Sequence, residues 1–217
     1  MFGEFLALED LAFSKQISGV AVASVVPRTT QQLREMTLRY FGFPAVVVEP
    51  GVKTGLAVLT DNPKEVGADR ICNAVAAHSI FSDEACVIVD FGTAIKVEAI
   101  TARGEFVGGA IAPGMDVAAT ALFAAAARLT RVELTAPASA IGKSTVTALQ
   151  SGIIFGTVGL VDGLVKRVIE ELGGSARVVA TGGLASVVSE HCETIERIEP
   201  TLTLRGLSLI FERNAGV

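Results

Sequence analysis

The sequence has no tryptophan, one tyrosine, two histidines and three cysteines, and each scarcity closes off a class of activity. His78 and His191 stand alone, and no run of His, Cys, Asp or Glu has metal-ligand spacing, so a zinc centre is not expected. Cys72, Cys86 and Cys192 form no CxxC pair and leave an odd count, which suits a reducing compartment and marks them as small buried apolar residues. Basic clusters and interleaved aromatics are also missing, and the formal net charge is −5, so no nucleic-acid partner is expected. No uninterrupted apolar run approaches the ~18 residues that span a bilayer. The opening "MFGEFLALEDLAF" carries acids among its apolar residues and lacks a basic leader region. The expectation is a cytoplasmic protein with no membrane partner that acts on small molecules.

Two catalytic signatures are also missing. There is no GxSxG nucleophile elbow. "IGKST" at 141–145 resembles the end of a Walker A loop, but Pro137 stands where that loop needs its first glycine, and "TAPASA" is not a buried strand. Lys143 and Thr145 can still meet an anion from the N-terminus of the following helix, where free amides attract negative charge, or can serve in capping alone.

Half of the 217 residues are hydrophobic, ample for a core. "EFLALEDLAF" has helical spacing; "GVAVASVVP" reads as a short strand, "TTQQLREMTLRYFG" as a helix with Leu33, Met36 and Tyr40 inward, and "AVVVEPG" as a second strand. Strand, helix, strand predicts parallel pairing. A Gly- and Pro-containing stretch leads to a helix from Ala68 through "RICNAVAAHSIF". A second unit opens with "ACVIVDFGTA" and continues through a hairpin turning at "TARGEF", which makes its sheet mixed. Helices over "VAATALFAAAARL" and "TALQSGIIFGTVGLVDGLVKRVIEEL", a strand "ARVVATGG" and a terminal helix "LTLRGLSLIFERN" follow. The expectation is an α/β protein of two lobes, 1–82 and 83–217.

The chemistry-bearing stretches each admit a plain structural account. The strand into Asp90 is apolar on both faces, as a central strand is, and puts the carboxylate at the end where α/β folds bind ligands. Gly92 would let a phosphate approach the backbone and Thr93 could donate to it, unless Asp90 merely caps a turn. "EVGADR" places Asp69 beside Arg70 at a helix start: either a helix-stabilising acid or a general base next to a guanidinium that holds an anionic substrate. "FVGGAIAPG" and "VVATGGLAS" are tight connections or surfaces on which a ligand lies against main chain, and neither is GxGxxG.

In order, "DNPKEVGADR", "VDFGTA", "GEFVGGAIAPG", "IGKSTV", "QSGIIFG", "GLVDGLV" and "ATGGLA" closely resemble the type III pantothenate kinases of bacterial coenzyme A synthesis, over essentially the whole chain. The resemblance implies a two-lobed actin-like, ribonuclease H-like ATPase fold, a homodimer, and phosphorylation of the primary hydroxyl of pantothenate by ATP with Mg2+. By matching positions it implies that Asp69 accepts the proton and that Gly67, Ala68, Asp69 and Arg70, with Thr145, line the pantothenate site. It further implies that Thr93 contacts ATP and that Asp90 binds a monovalent cation, potassium or ammonium. Family members begin with a strand and a DxGNT-like phosphate turn not found here, so the expectation is a truncated first lobe, an apolar edge exposed along "VAVASVV", and impaired turnover; the alternative is a non-catalytic regulatory or interaction protein on the same fold. Where the family pattern continues after "DFGTA" with two threonines and later an aspartate, this sequence has Ile95, Lys96 and Glu98. Lys96 either replaces a cation by its own ammonium or pairs with Glu98.

Overall fold

The computed structural model describes residues 16–126 and 131–215. The helix expected over 4–13 lies outside them. In chain order the elements are β1 (Ala21–Val22), α1 (Pro27–Phe41), β2 (Val46–Val47), β3 (Ala57–Val58), α2 (Ala68–Ile80), β4 (Cys86–Phe91), β5 (Ala94–Ile100) and β6 (Glu105–Pro113). They continue with α3 (Met115–Ala125), α4 (Thr145–Glu171), β7 (Arg177–Thr181), α5 (Ala185–Val188), β8 (Arg197–Ile198) and α6 (Leu202–Asn214). Contacts divide the chain into two compact units. The first takes the described residues up to Gly55, Asn62–Ala76 and those from Thr203; the second takes Leu56–Asp61 and Ala77–Leu202.

In the first unit β1 and β2 run parallel, Ala21 opposite Val46 and Val22 opposite Val47, as the strand–helix–strand order predicts. Pro27 occupies the first turn of α1, where a missing N–H costs nothing, and Gly42 ends the helix at φ 78°. Leu33 and Met36 are half-buried as expected, but Tyr40 is 54% exposed and Thr37 is buried in its place. Residues 33 and 37 share a helix face, and Thr37 can be buried because its hydroxyl donates to the Arg34 carbonyl at 2.9 Å. Past β1, Val25 and Val26 are exposed.

The terminal helix belongs to this unit through specific contacts. Gly206 lies so close to α2 that a Cβ there would overlap the Cys72 carbonyl, and Thr203 Oγ1 donates to Asn73 Oδ1 at 2.7 Å. At its far end the Asn214 side chain brackets Lys53, accepting from its N–H at 3.0 Å and donating to its carbonyl at 2.9 Å, while Arg213 donates to the Thr54 carbonyl.

The second unit is built on a six-stranded sheet of order β3-β6-β5-β4-β7-β8. β5 is antiparallel to both β4 and β6, whereas β7 is parallel to β4 and to β8. Leaving out the edge strand β3 and counting from β4, the five remaining strands lie in the order third, second, first, fourth, fifth with the second reversed. That is the ribonuclease H-like arrangement of actin-like ATPases. The two-residue strands β3 and β8 were not anticipated.

The expected hairpin closes at Gly104, whose φ of 73° a side chain would resist and whose Cβ would meet the His78 ring 2.7 Å away. Val87, Val89, Phe91, Ile95 and Val97 form one sheet face that packs on Ile154, Val161 and Val165 of α4. By length and composition α4 could cross a membrane, yet its apolar stripe lies in this core. Its Asp162, 8% exposed, anchors the loop before β8: Oδ1 accepts from Thr194 N–H at 3.1 Å and Thr194 Oγ1 at 2.6 Å, and Oδ2 from Glu193 N–H at 3.1 Å.

Cys72 and Cys86 are fully buried, as expected of them, whereas Cys192 is only half-buried. Burial pushes the Cys72 and Cys86 thiols from 9.0 up to about 12, with the Asp69 carboxylate adding to the shift at Cys72. Both remain neutral in the folded state well into alkaline pH. Since their folded values lie above the unfolded ones, their contribution to stability is complete below about pH 9 and declines as pH rises toward about 12. Mass spectrometry after iodoacetamide treatment at about pH 8 should find both unmodified in native protein and labelled in urea, because the thiolate is the reactive species.

Candidate active site

The first four side chains of β4, Cys86 to Val89, are fully buried, which makes β4 the central strand its composition predicts. Asp90 follows at its C-terminal end, directly opposite Lys96 of β5 and beside Thr181 of β7. Opposed residues of an antiparallel pair project to the same face. Lys96 Nζ accordingly donates to Asp90 Oδ2 at 2.9 Å, with the two side chains only 17% and 13% exposed. The Lys96 ammonium thus lies on Asp90, and Glu98, fully buried, lies two residues further along the same β5 face. The signal was in "DFGTAIK": a reversal at 92–94 brings residues six apart into register.

Beyond Asp90 the chain turns at Gly92 and Thr93, with Gly92 N–H donating to the Ala94 carbonyl at 3.2 Å. Two other connections press main chain against this turn. Gly114, the N-cap of α3, donates its N–H to the Thr93 carbonyl at 3.0 Å, and a Cβ on it would overlap the Gly92 carbonyl. Gly182, just past β7 at φ 98°, has no room for a Cβ, which would lie 2.6 Å from the Phe91 carbonyl. Gly183 next to it faces open space. Three glycines thus bring backbone from three connections to the end of β4, where Thr93 is exposed. The Gly92 and Gly114 N–H groups are spent inside this knot, which leaves the first-turn amides of α3, next to it, as the donors that can hold phosphate oxygens. Elsewhere in "FVGGAIAPG" the glycines serve packing: Gly109 lies against the Val97 carbonyl of β5, and Gly108, at φ 112°, takes up the register shift opposite Ala99 and Ile100.

In the first unit, Gly67 to Arg70 form the start of α2. The Gly67 carbonyl accepts from Ile71 N–H at 3.1 Å, and Asp69 folds back so that its Oδ1 lies 2.6 Å from where a Gly67 Cβ would be. Glycine at 67 is what makes room for this carboxylate. Ala68 is buried and Asp69 and Arg70 are half-buried, a degree of cover compatible with helix stabilisation and with proton transfer alike.

Thr145 is the first residue of α4 and is exposed. The cap itself is Ser144, which accepts from Thr147 N–H at 3.2 Å while Thr147 Oγ1 accepts from Ser144 N–H at 3.1 Å. A Cβ on Gly142 would overlap Ala148 N. The helix start is therefore satisfied without Lys143 or Thr145, whose side chains stay available. Asp162, which entered the sequence reading only as part of "GLVDGLV", is an anchor rather than a site residue; a lone acid in a long apolar helical stretch was the available sign.

The sheet order and the glycine-lined turn at the end of its central strand define a protein of the actin-like ATPase class. A family model described as type III pantothenate kinase matches residues 3–167. The type III pantothenate kinase of Frankia alni is 54% identical over 200 residues, which is 92% of this chain and 80% of the relative. That of Rhodococcus jostii is 50% identical over 208 residues, 94% and 76% of the two chains. A solved Baf family protein from Campylobacter jejuni superposes over 100% of this chain and 89% of its own with TM-score 0.64 at 19% identity, a likeness of fold. The chain belongs to the type III pantothenate kinase family.

Backbone crowding at the end of β4 has a direct consequence. Gly182→Ala should lower unfolding free energy in urea titrations by ~2–4 kcal/mol, since it combines a left-handed backbone with overpacking. Gly183→Ala, with nothing in its way, should stay within about 0.5 kcal/mol of the parent.

Proposed function

We propose that this chain carries out the reaction of its family, transfer of the γ-phosphoryl group of ATP to the primary hydroxyl of pantothenate, which yields 4'-phosphopantothenate and ADP and opens coenzyme A biosynthesis. The observation that carries this reading is the family match over residues 3–167, a span that includes Gly67–Arg70, Asp90, Thr93 and Thr145. Asp69 takes the hydroxyl proton as the pantothenate oxygen bonds to phosphorus and the bond from phosphorus to the ADP oxygen breaks. Arg70 holds the pantothenate carboxylate by charge-assisted hydrogen bonds, Gly67 and Ala68 offer main chain to the substrate, and Thr145 contacts it from the start of α4. Thr93 and the amides around it receive the phosphates of ATP.

Magnesium, bound with ATP, neutralises charge on the phosphates. Among the described residues no group of three or more His, Cys, Asp or Glu side chains is gathered in a way that could hold a metal. Asp90 is the position to which the family resemblance assigns potassium or ammonium. With Lys96 Nζ on its Oδ2, the residues here do not fit a second, dissociable cation on the same carboxylate.

The partners are ATP, pantothenate and a second copy of the chain, in the cytoplasm, with no role for nucleic acid or membrane. Light scattering on purified protein should return twice the chain mass. Asp69→Asn should lower kcat by at least ~100-fold in a coupled ADP-release assay with pantothenate, the usual scale for a general base. A near-normal rate would remove Asp69 from the mechanism, and no pantothenate-dependent ADP release by the parent protein would overturn the proposed reaction.

A further inference from the structure

The ion pair at the end of β4 carries a consequence for the ion requirement of the reaction, and this step rests on the function just proposed. Asp90 and Lys96 are a directly opposed pair on adjacent strands, held by main-chain register rather than by a chance meeting of long side chains. Their contact of 2.9 Å is largely covered, at 17% and 13% exposure, so water screens it less than a surface pair. They lie on the sheet face opposite the Val87, Val89, Phe91, Ile95 and Val97 core, next to the phosphate-type turn of Gly92 and Thr93. A lysine ammonium has the charge of a potassium ion and the N–H donors of an ammonium ion, but it is tethered.

We propose that the Lys96 ammonium permanently replaces the dissociable monovalent cation at Asp90, so that phosphoryl transfer by this protein is independent of potassium and ammonium. At an effective dielectric of ~20, a second unit charge ~4 Å from the ammonium would lose roughly 10³-fold in affinity by repulsion alone. Lysine also supplies its charge at every ionic composition, where a dissociable ion depends on concentration. Of the donors on Nζ, one is spent on Asp90 Oδ2, and the ammonium as a whole keeps the carboxylate from repelling phosphate oxygens next to it.

The test compares the parent protein with Lys96→Thr and Lys96→Ala in tetramethylammonium chloride, lithium chloride, potassium chloride and ammonium chloride at one ionic strength, which holds general screening constant. Two readouts are taken: pantothenate-dependent ADP release, and thermal unfolding without substrates. The parent should vary less than about twofold in rate across the salts and show no potassium-specific rise in Tm, while both variants should lose at least ~10-fold in tetramethylammonium and recover with about 100 mM potassium or ammonium but not lithium, with Tm rising in step. The threonine variant keeps a β-branched residue in the strand and guards against simple misfolding. A parent stimulated severalfold by potassium, or variants as active and as stable without it as with it, would overturn the inference. Should the parent release no ADP with pantothenate, the proposed reaction fails while the unfolding readout still decides this inference: a potassium-specific rise in Tm confined to the variants supports it, and one in the parent, or in neither, sinks it.

Discussion

A strand buried on both faces must deliver whatever polar residue ends it to the one place where the packing opens. β4 meets that constraint with four fully buried side chains followed by Asp90. Everything nearby follows from how the chain leaves the strand. A turn at 92–93 sends β5 back antiparallel, which puts Lys96 opposite Asp90; β6 and α3 then return main chain to the same point at Gly114, and β7 does so at Gly182. The convergence is of backbone, not of side chains, which is why glycine recurs there.

Much of this arrangement was legible in the sequence because it rests on local rules. The alternation in "IKVEAI" and the turn in "TARGEF" set the hairpin, the continuous apolar run of "CVIV" marked a central strand, and the terminal helix could be read from "LTLRGLSLIFERN". Where reading failed, tertiary contacts decided. Tyr40 has helical spacing toward the core, yet Thr37 is buried instead because its hydroxyl is satisfied inside the helix. β3 and β8 are strands only because a neighbour supplies hydrogen bonds. No local pattern announces that residues 53 and 54 hold the end of α6.

At the candidate site the division is different: residue types were readable, while partners were not. Asp69, Asp90, Thr93 and Thr145 stood out by composition and resemblance, but that Ser144 rather than Thr145 caps α4, and that Lys96 reaches Asp90, depends on geometry. Asp162 is the converse case, an acid inside a family motif that spends its oxygens on Glu193 and Thr194. Membership of a motif does not by itself distinguish a residue that meets the ligand from one that holds the frame.

The seam between α2 and α6 is another place where main chain touches main chain, through Gly206 and Cys72. Ordinary helix pairs meet through interleaved side chains that can re-sort their rotamers when one helix shifts. At Gly206 no rotamer lies in between, so at that point neither helix can shift toward the other. Any bulk added at Gly206 has to be met by moving one of the two helices bodily, because no side chain there can turn aside.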